Sequence, residues 1–107
     1  MKIQINTDKN IPGREANAHS VETILEQVLA RFSDQITRIE VHLSDENSAA
    51  KSGMVDKRCL LEVRLAGRQP VSVSEQAQTV DQAVRGAAQK MLSLLESEMG
   101  RLGKYQN

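Results

Sequence analysis

The stretch from Lys57 to Val84, KRCLLEVRLAGRQPVSVSEQAQTVDQAV, constrains the fold more than any other part of the chain. Cys59, Leu61, Val63 and Leu65 alternate with Arg58, Leu60, Glu62 and Arg64. A period of two places the first set on one face of a sheet and the second on the other. Ala66, Gly67 and Arg68 supply a tight turn, in which Gly67 is free to take a positive φ. Pro70 opens a second strand, where a missing N–H is tolerated at a first or edge position. Val71 and Val73 then alternate with Ser72 and Ser74. Thr79 and Gln82 have capping-box spacing, which starts a helix at Val80. The unit is a hairpin feeding a capped helix, with one sheet face that must be covered.

The rest of the chain supplies the cover. Lys2 to Thr7 reads as a strand with Ile3 and Ile5 on one face. Asp8 to His19, with Asn10, Pro12, Gly13 and Asn17, reads as a loop. Ser20 can cap a helix running to about Phe32. In it Val21, Ile24, Leu25, Val28, Leu29 and Phe32 form one apolar stripe, while Glu22 and Glu26 sit where the helix dipole favours negative charge. After a break at Ser33, Asp34 and Gln35 comes a strand from Ile36 to Leu43. Its Ile39, Val41 and Leu43 face in and its Arg38, Glu40 and His42 face out. Ser44 to Asp56 is polar and small, a mobile connection whose length fits either a functional loop or a merely solvated one. The stripe of the last helix runs from Val80 through Ala83, Val84, Ala87, Ala88, Met91, Leu95 and Met99 to Leu102. Gly86 within it costs up to ~1 kcal/mol relative to Ala, which implies close approach to the sheet or the first helix.

The element order is thus β-α-β-β-β-α. Every strand is apolar on one face only, so both helices pack on the same face of one four-stranded mixed sheet in a two-layer α+β sandwich. The first two strands are parallel through a right-handed crossover, and the others antiparallel. The expected core includes Ile3, Ile5, Ile24, Leu25, Val28, Ile39, Val41, Leu61, Val63, Val84, Met91 and Leu95. Residues 1–103 form the single domain, and 104–107 a disordered tail beyond Gly100 and Gly103. A chain of 107 residues buries about two thirds of its unfolded surface, enough for a core without staples.

Several functions are disfavoured. Cys59 is the one cysteine, so neither an internal disulfide nor a cysteine-based zinc site can form, and its inward position reads as a small buried hydrophobe. Phe32 and Tyr105 are the only aromatics, too few for stacking single-stranded bases. No apolar run approaches the ~20 residues that span a membrane, and MKIQINTDKN lacks a signal-peptide apolar region, so a cytoplasmic protein is expected. There is no Gly-rich phosphate loop, histidine pair or nucleophile elbow. His42 beside Glu40 and Glu62 reads as a surface histidine on a face without a pocket. We therefore expect no enzyme, no cofactor, no metal and no small-molecule substrate.

Charge is uneven although the net is zero. Residues 1–56 carry six basic and nine acidic side chains, whereas residues 57–107 carry eight basic and five acidic. The second half is the side for an anionic partner. Lys57 and Arg58 stand at the start of the third strand, Arg64 and Arg68 at its far end and turn, and Arg85 and Lys90 along the last helix. Such residues can contact a phosphate backbone without reading bases. By residue type alone, an ordinary solvated face explains them as well.

The pattern resembles a known family. VETILEQVLARFSDQITRIEVHLSDEN, then DKRCLLEVRLAG, then PVSVSEQAQTVDQAVRGAAQKMLSLL are similar to the ribosome hibernation-promoting factors and ribosome-associated inhibitor A proteins. The match runs from the first strand to about Leu102. The resemblance implies the β-α-β-β-β-α fold. It also implies binding to the small ribosomal subunit, in the channel used by mRNA and tRNA, with translation blocked under stress. Ribosomal RNA is then the partner, contacted through basic residues of the helices and adjoining loops, with Lys90 at a matching basic position. Lys57, Arg58, Arg64, Arg68, Arg85 and Lys90 are the candidate RNA contacts, with Arg58 and Lys90 both off the expected core. Relative to the family, the last helix is poorer in cations, and neither a long linker nor a second dimerisation domain is expected after it. The alternative is a protein-binding module of the same fold that ignores ribosomes, or a weak homodimer paired through the exposed edge of the fourth strand.

Overall fold

A computed structural model describes residues 1–8, 11, 17–45 and 57–106, with side chains as far as Glu98. The elements are β1 (Lys2–Thr7), α1 (Ala18–Val28), a 3-10 turn (Ala30–Phe32), β2 (Ile36–Asp45), β3 (Lys57–Leu65), β4 (Val71–Ala77) and α2 (Val80–Gln106). They follow the expected order. The expected loops over 8–19 and 44–56 fall mostly outside the described residues, as does Asn107.

The sheet order is β1-β2-β3-β4. β1 runs parallel to β2, and the β2–β3 and β3–β4 pairs are antiparallel. Across the core face the register aligns Ile5, Val41, Leu61 and Val73. Leu61, Val63, Ile39 and Val41 are fully buried against Ile24, Leu25, Val84, Met91 and Leu95 from the helices. Ile3, Ile5 and Val28, expected in the core, pack against it half-buried. A register shift between Ile36 and Arg38 lets Ile36 bury alongside Ile39, although strict alternation would point them to opposite faces.

Three boundaries differ from expectation. The cap of α1 is Asn17, not Ser20; its side chain accepts from the Ser20 amide at 3.2 Å. Asn caps as well as Ser, and starting at Ala18 adds a turn to the helix. Glu22 and Glu26 consequently fall beyond the first turn, which holds no acidic residue. α1 ends at Val28, and its stripe is carried on to buried Leu29 and Phe32 by the 3-10 turn. β2 extends two residues past Leu43, because Asp45 pairs in register with Lys57.

α2 continues to Gln106, past the end expected near Leu102 and into the segment expected to be a tail. Two glycines cost about 1 kcal/mol each in a helix, and no proline follows to break it. Its start is as expected: Thr79 Oγ1 accepts from the Gln82 amide at 3.1 Å. Gly67 takes φ 71°, as the turn requires.

Cys59 is fully buried. Burial pushes its thiol up from 9.0 to about 12, against the opposing pull of the Arg58 charge. Two outcomes follow from this core. Leu61→Ala is expected to cost about 2–5 kcal/mol in urea unfolding, since the side chain is wholly enclosed. Above about pH 9 the unfolded thiol releases a proton that the folded state keeps, so this contribution to stability falls as pH rises toward 12, by up to about 1.4 kcal/mol per pH unit. Urea midpoints measured from pH 8 to 10.5 should therefore fall more steeply for the wild type than for Cys59→Ala.

Candidate nucleic-acid interface

The six candidate cations do not form one patch. The pleat sends Arg58 and Arg64 to the open face of the sheet, away from the helices, and Lys57 to the core face. There Lys57 Nζ lies 3.1 Å from Asp45 Oδ2, with the two side chains only 13% and 8% exposed. Removing Lys57 would leave the Asp45 carboxylate buried without this partner, a loss of about 3–5 kcal/mol for such pairs. What the structure gives Lys57 is thus a structural task, closing the last rung of the β2–β3 ladder. Alternation signalled it: Lys57 shares the parity of Cys59 and Leu61.

The open face is ordered by register. Lys2, Arg38 and Arg64 lie side by side on adjacent strands, followed by a row of Gln4, Glu40, Glu62 and Ser72, then one of Asn6, His42, Leu60 and Ser74. Arg58 stands between Ser44 and Gln76 in the last row. Glu40 is the hub. Its carboxylate lies 3.5 Å from Arg38 Nε, 3.6 Å from Arg64 Nε and 3.8 Å from His42 Nε2, and Arg38 also donates to Gln4 Oε1. These contacts offset the cross-strand opposition of Arg38 to Arg64 and of Glu40 to Glu62, since like charges placed opposite destabilise a sheet. At the Arg58 end a shallow cleft of about 290 Å³ is lined by Asn6, Asp8, His42, Ser44, Arg58 and Leu60. Arg68 lies in the β3–β4 turn beside Gln69 and Glu98, at the Arg64 end of the sheet.

Arg85 and Lys90 are exposed on α2. Lys90 Nζ donates to the Ser74 carbonyl at 2.9 Å and lies 3.0 Å from Glu75 Oε1, so it ties α2 to the edge strand β4. Although off the core, it is not idle: Lys90→Glu would set a second carboxylate beside Glu75. The same contact explains Gly86. A Cβ there would meet Glu75 Cγ and Oε2 at 2.6 Å, so the close approach is to a side chain of the sheet. The sequence placed Arg38 and Glu40 on this face as observed, but Arg38 was not among the candidate cations; its place beside Arg64 comes from the β2–β3 register. Among the described residues, no group of His, Cys, Asp and Glu could hold a metal ion. No described helix is long and apolar enough to cross a membrane.

A four-stranded sheet backed by two helices, with charged side chains on an open face, defines a small α+β domain. Residues 3–103 match the sequence model of one family, and the chain belongs to it: the sigma 54 modulation protein / S30EA ribosomal protein family. No curated protein matches the chain significantly in sequence. Solved structures share its fold. The N-terminal domain of Thermus thermophilus Protein Y superposes with a TM-score of 0.69 at 24% identity, over 91% of this chain and 98% of that one. A ribosomal subunit interface protein from Coxiella burnetii gives 0.69 at 16% identity, over 94% and 99%. Membership supports association with the ribosome in general.

The Glu75–Lys90 contact has a measurable consequence. Gly86→Ala alone should be near neutral, because its helix-propensity gain of up to about 1 kcal/mol is offset by displacing Glu75. In a Glu75→Ala background the same change should recover most of that gain. A double-mutant cycle by urea unfolding reads the difference.

Proposed function

We propose that this chain is a ribosome-associated stress protein that binds the small ribosomal subunit by charge and shape, without catalysis, and inhibits translation. The observation that carries the reading is the family match over residues 3–103, nearly the whole chain. The electrostatics suit it. The cations of residues 57–107 outnumber the carboxylates by eight to five, and Arg58, Arg64, Arg68, Arg85 and Lys90 are all at least partly exposed. Such residues can neutralise phosphates, which makes affinity salt-dependent. The reading also implies a cytoplasmic protein with ribosomal RNA as its partner.

The alternative, self-association through the edge of β4, is opposed by two features. Pro70 removes a backbone donor just before the strand, and Lys90 sets a charge and a hydrogen bond on its backbone at Ser74.

Sedimentation of the purified chain with bacterial small subunits through a sucrose gradient, at low and moderate salt, tests the proposal. The chain is expected to co-sediment at low salt, to dissociate progressively as salt rises, and to inhibit translation in an extract. A chain that stays at the top at both salts and leaves translation unaffected would sink the ribosome reading. A salt-resistant dimer seen by light scattering would favour the alternative.

A further inference from the structure

Arg85 and Lys90 are the candidate cations of α2, and the sheet holds Lys90. Its ammonium lies 3.0 Å from Glu75 Oε1 and donates to the Ser74 carbonyl at 2.9 Å. Glu75 comes from β4, where its register opposite Cys59 puts it on the helix side of the edge strand. The pair is open to solvent, with the Lys90 side chain 52% exposed and that of Glu75 34%. An anion can therefore reach the ammonium without any part of the fold opening. Beside it a cleft of about 380 Å³, lined by Arg58, Ser74, Glu75, Gln76 and Lys90, leaves room for a phosphate group.

The helix provides the seat for Glu75. A Cβ on Gly86 would meet Glu75 Cγ and Oε2 at 2.6 Å, so the missing side chain at that position is what lets the carboxylate lie against α2. Gly86 and Lys90 are one helical turn apart and share a face of α2. One carboxylate oxygen thus rests against the glycine while the other holds the ammonium. A glycine inside a helix costs about as much stability as an exposed ion pair contributes, so the arrangement adds little to the fold. What it changes is the state of the cation. A phosphate that takes Lys90 must displace an anion already in place on the same chain. Such a competitor acts at the high effective concentration of an intramolecular group. It weakens the apparent affinity in proportion to the fraction of molecules in which Lys90 is held.

We propose, on the ribosome-binding reading above, that Glu75 is a built-in competitor for phosphate at Lys90, seated by Gly86, and that it holds the affinity of this chain for RNA below what its cations would otherwise give. On binding, the Lys90 ammonium exchanges the Glu75 carboxylate for a phosphate oxygen, and the tie between α2 and the β4 edge is released at that point.

A double-mutant cycle read by binding tests this. Glu75→Gln keeps the shape of the side chain and removes its charge. It is made in the wild type and in Lys90→Gln, and the four labelled proteins, checked by circular dichroism, are titrated against small subunits at several salt concentrations. The gain in affinity from Glu75→Gln should be about threefold to fivefold larger in the wild type than in Lys90→Gln, a ratio set by the upper range for an exposed ion pair. The log–log salt slope should steepen by about one where Lys90 is present and stay unchanged where it is absent. Equal gains in both backgrounds mean that Glu75 acts only through its charge at a distance, and overturn the proposal. Weaker binding by Glu75→Gln means that Glu75 positions Lys90 for RNA, and overturns it too. Failure of both the wild type and Glu75→Gln to bind subunits at low salt removes the ribosome reading, and the competitor with it. If Glu75→Gln does not fold, Gly86→Ala takes its place, because it displaces the carboxylate without altering net charge. Tighter binding that depends on Lys90 then supports the proposal, and unchanged or weaker binding overturns it.

Discussion

The antiparallel pairing of β2 with β3 is the constraint on which the rest of the structure depends. It runs from Ile36 opposite Leu65 to Asp45 opposite Lys57, and it forms the middle of the sheet. β1 attaches to one side of this pair and β4 to the other. Its inward residues, Ile39, Val41, Leu43, Cys59, Leu61 and Val63, are the floor on which both helices bury their stripes. A slip of one residue would exchange that floor for Arg38, Glu40, His42, Arg58 and Glu62, so the apolar pattern fixes the register tightly. The bulge near Thr37 and the Lys57–Asp45 ion pair mark the two ends of the ladder. Between them, one pairing sets both the core and the charge pattern of the opposite face.

That coupling explains why a weakly charged chain can still present an electrostatic surface. Net charge is zero, and no stretch of the sequence is strongly basic. The pleat sorts charge by parity, and the turn and crossover geometry then brings Lys2, Arg38 and Arg64 into one row from three separate segments. The helices hold their charges along flanks set by a different period.

The fold was legible because alternation and helical stripes agreed over most of the described elements, with Ile36, buried through the register shift at the start of β2, as an exception. The strands emerged with the correct inward residues, and Gly67 and Thr79 marked the turn and the cap. What was not legible depended on neighbours distant in sequence. Ser20 and Asn17 are comparable caps, and only the start of the helix at Ala18 chooses between them. The extension of β2 to Asp45 required its pairing with Lys57. Gly86 signalled a close approach, but not that Glu75 was the neighbour. The candidate cations were gathered by their proximity in sequence, and that grouping joined Lys57 to Arg58 although the pleat sends them to opposite faces.

The same distinction separates cations that can exchange partners from those that cannot. An exposed ion pair contributes about 0–1 kcal/mol, because water and salt compete with it. Arg64, at 3.6 Å from Glu40 and half exposed, can turn toward an incoming phosphate while losing little. Arg38 lies 3.5 Å from the same carboxylate, so Glu40 keeps a counter-charge when Arg64 turns away. Lys57 has no such freedom. Its ammonium is enclosed with Asp45, and withdrawing it would leave a buried carboxylate without that partner. Lys90 lies between these cases, exposed yet holding both Glu75 and the Ser74 carbonyl, so engaging a phosphate would loosen α2 from the edge of the sheet. Availability for binding is thus set by what each cation would abandon. By that measure Arg64 can trade an internal carboxylate for an external anion at little cost, and Lys57 cannot.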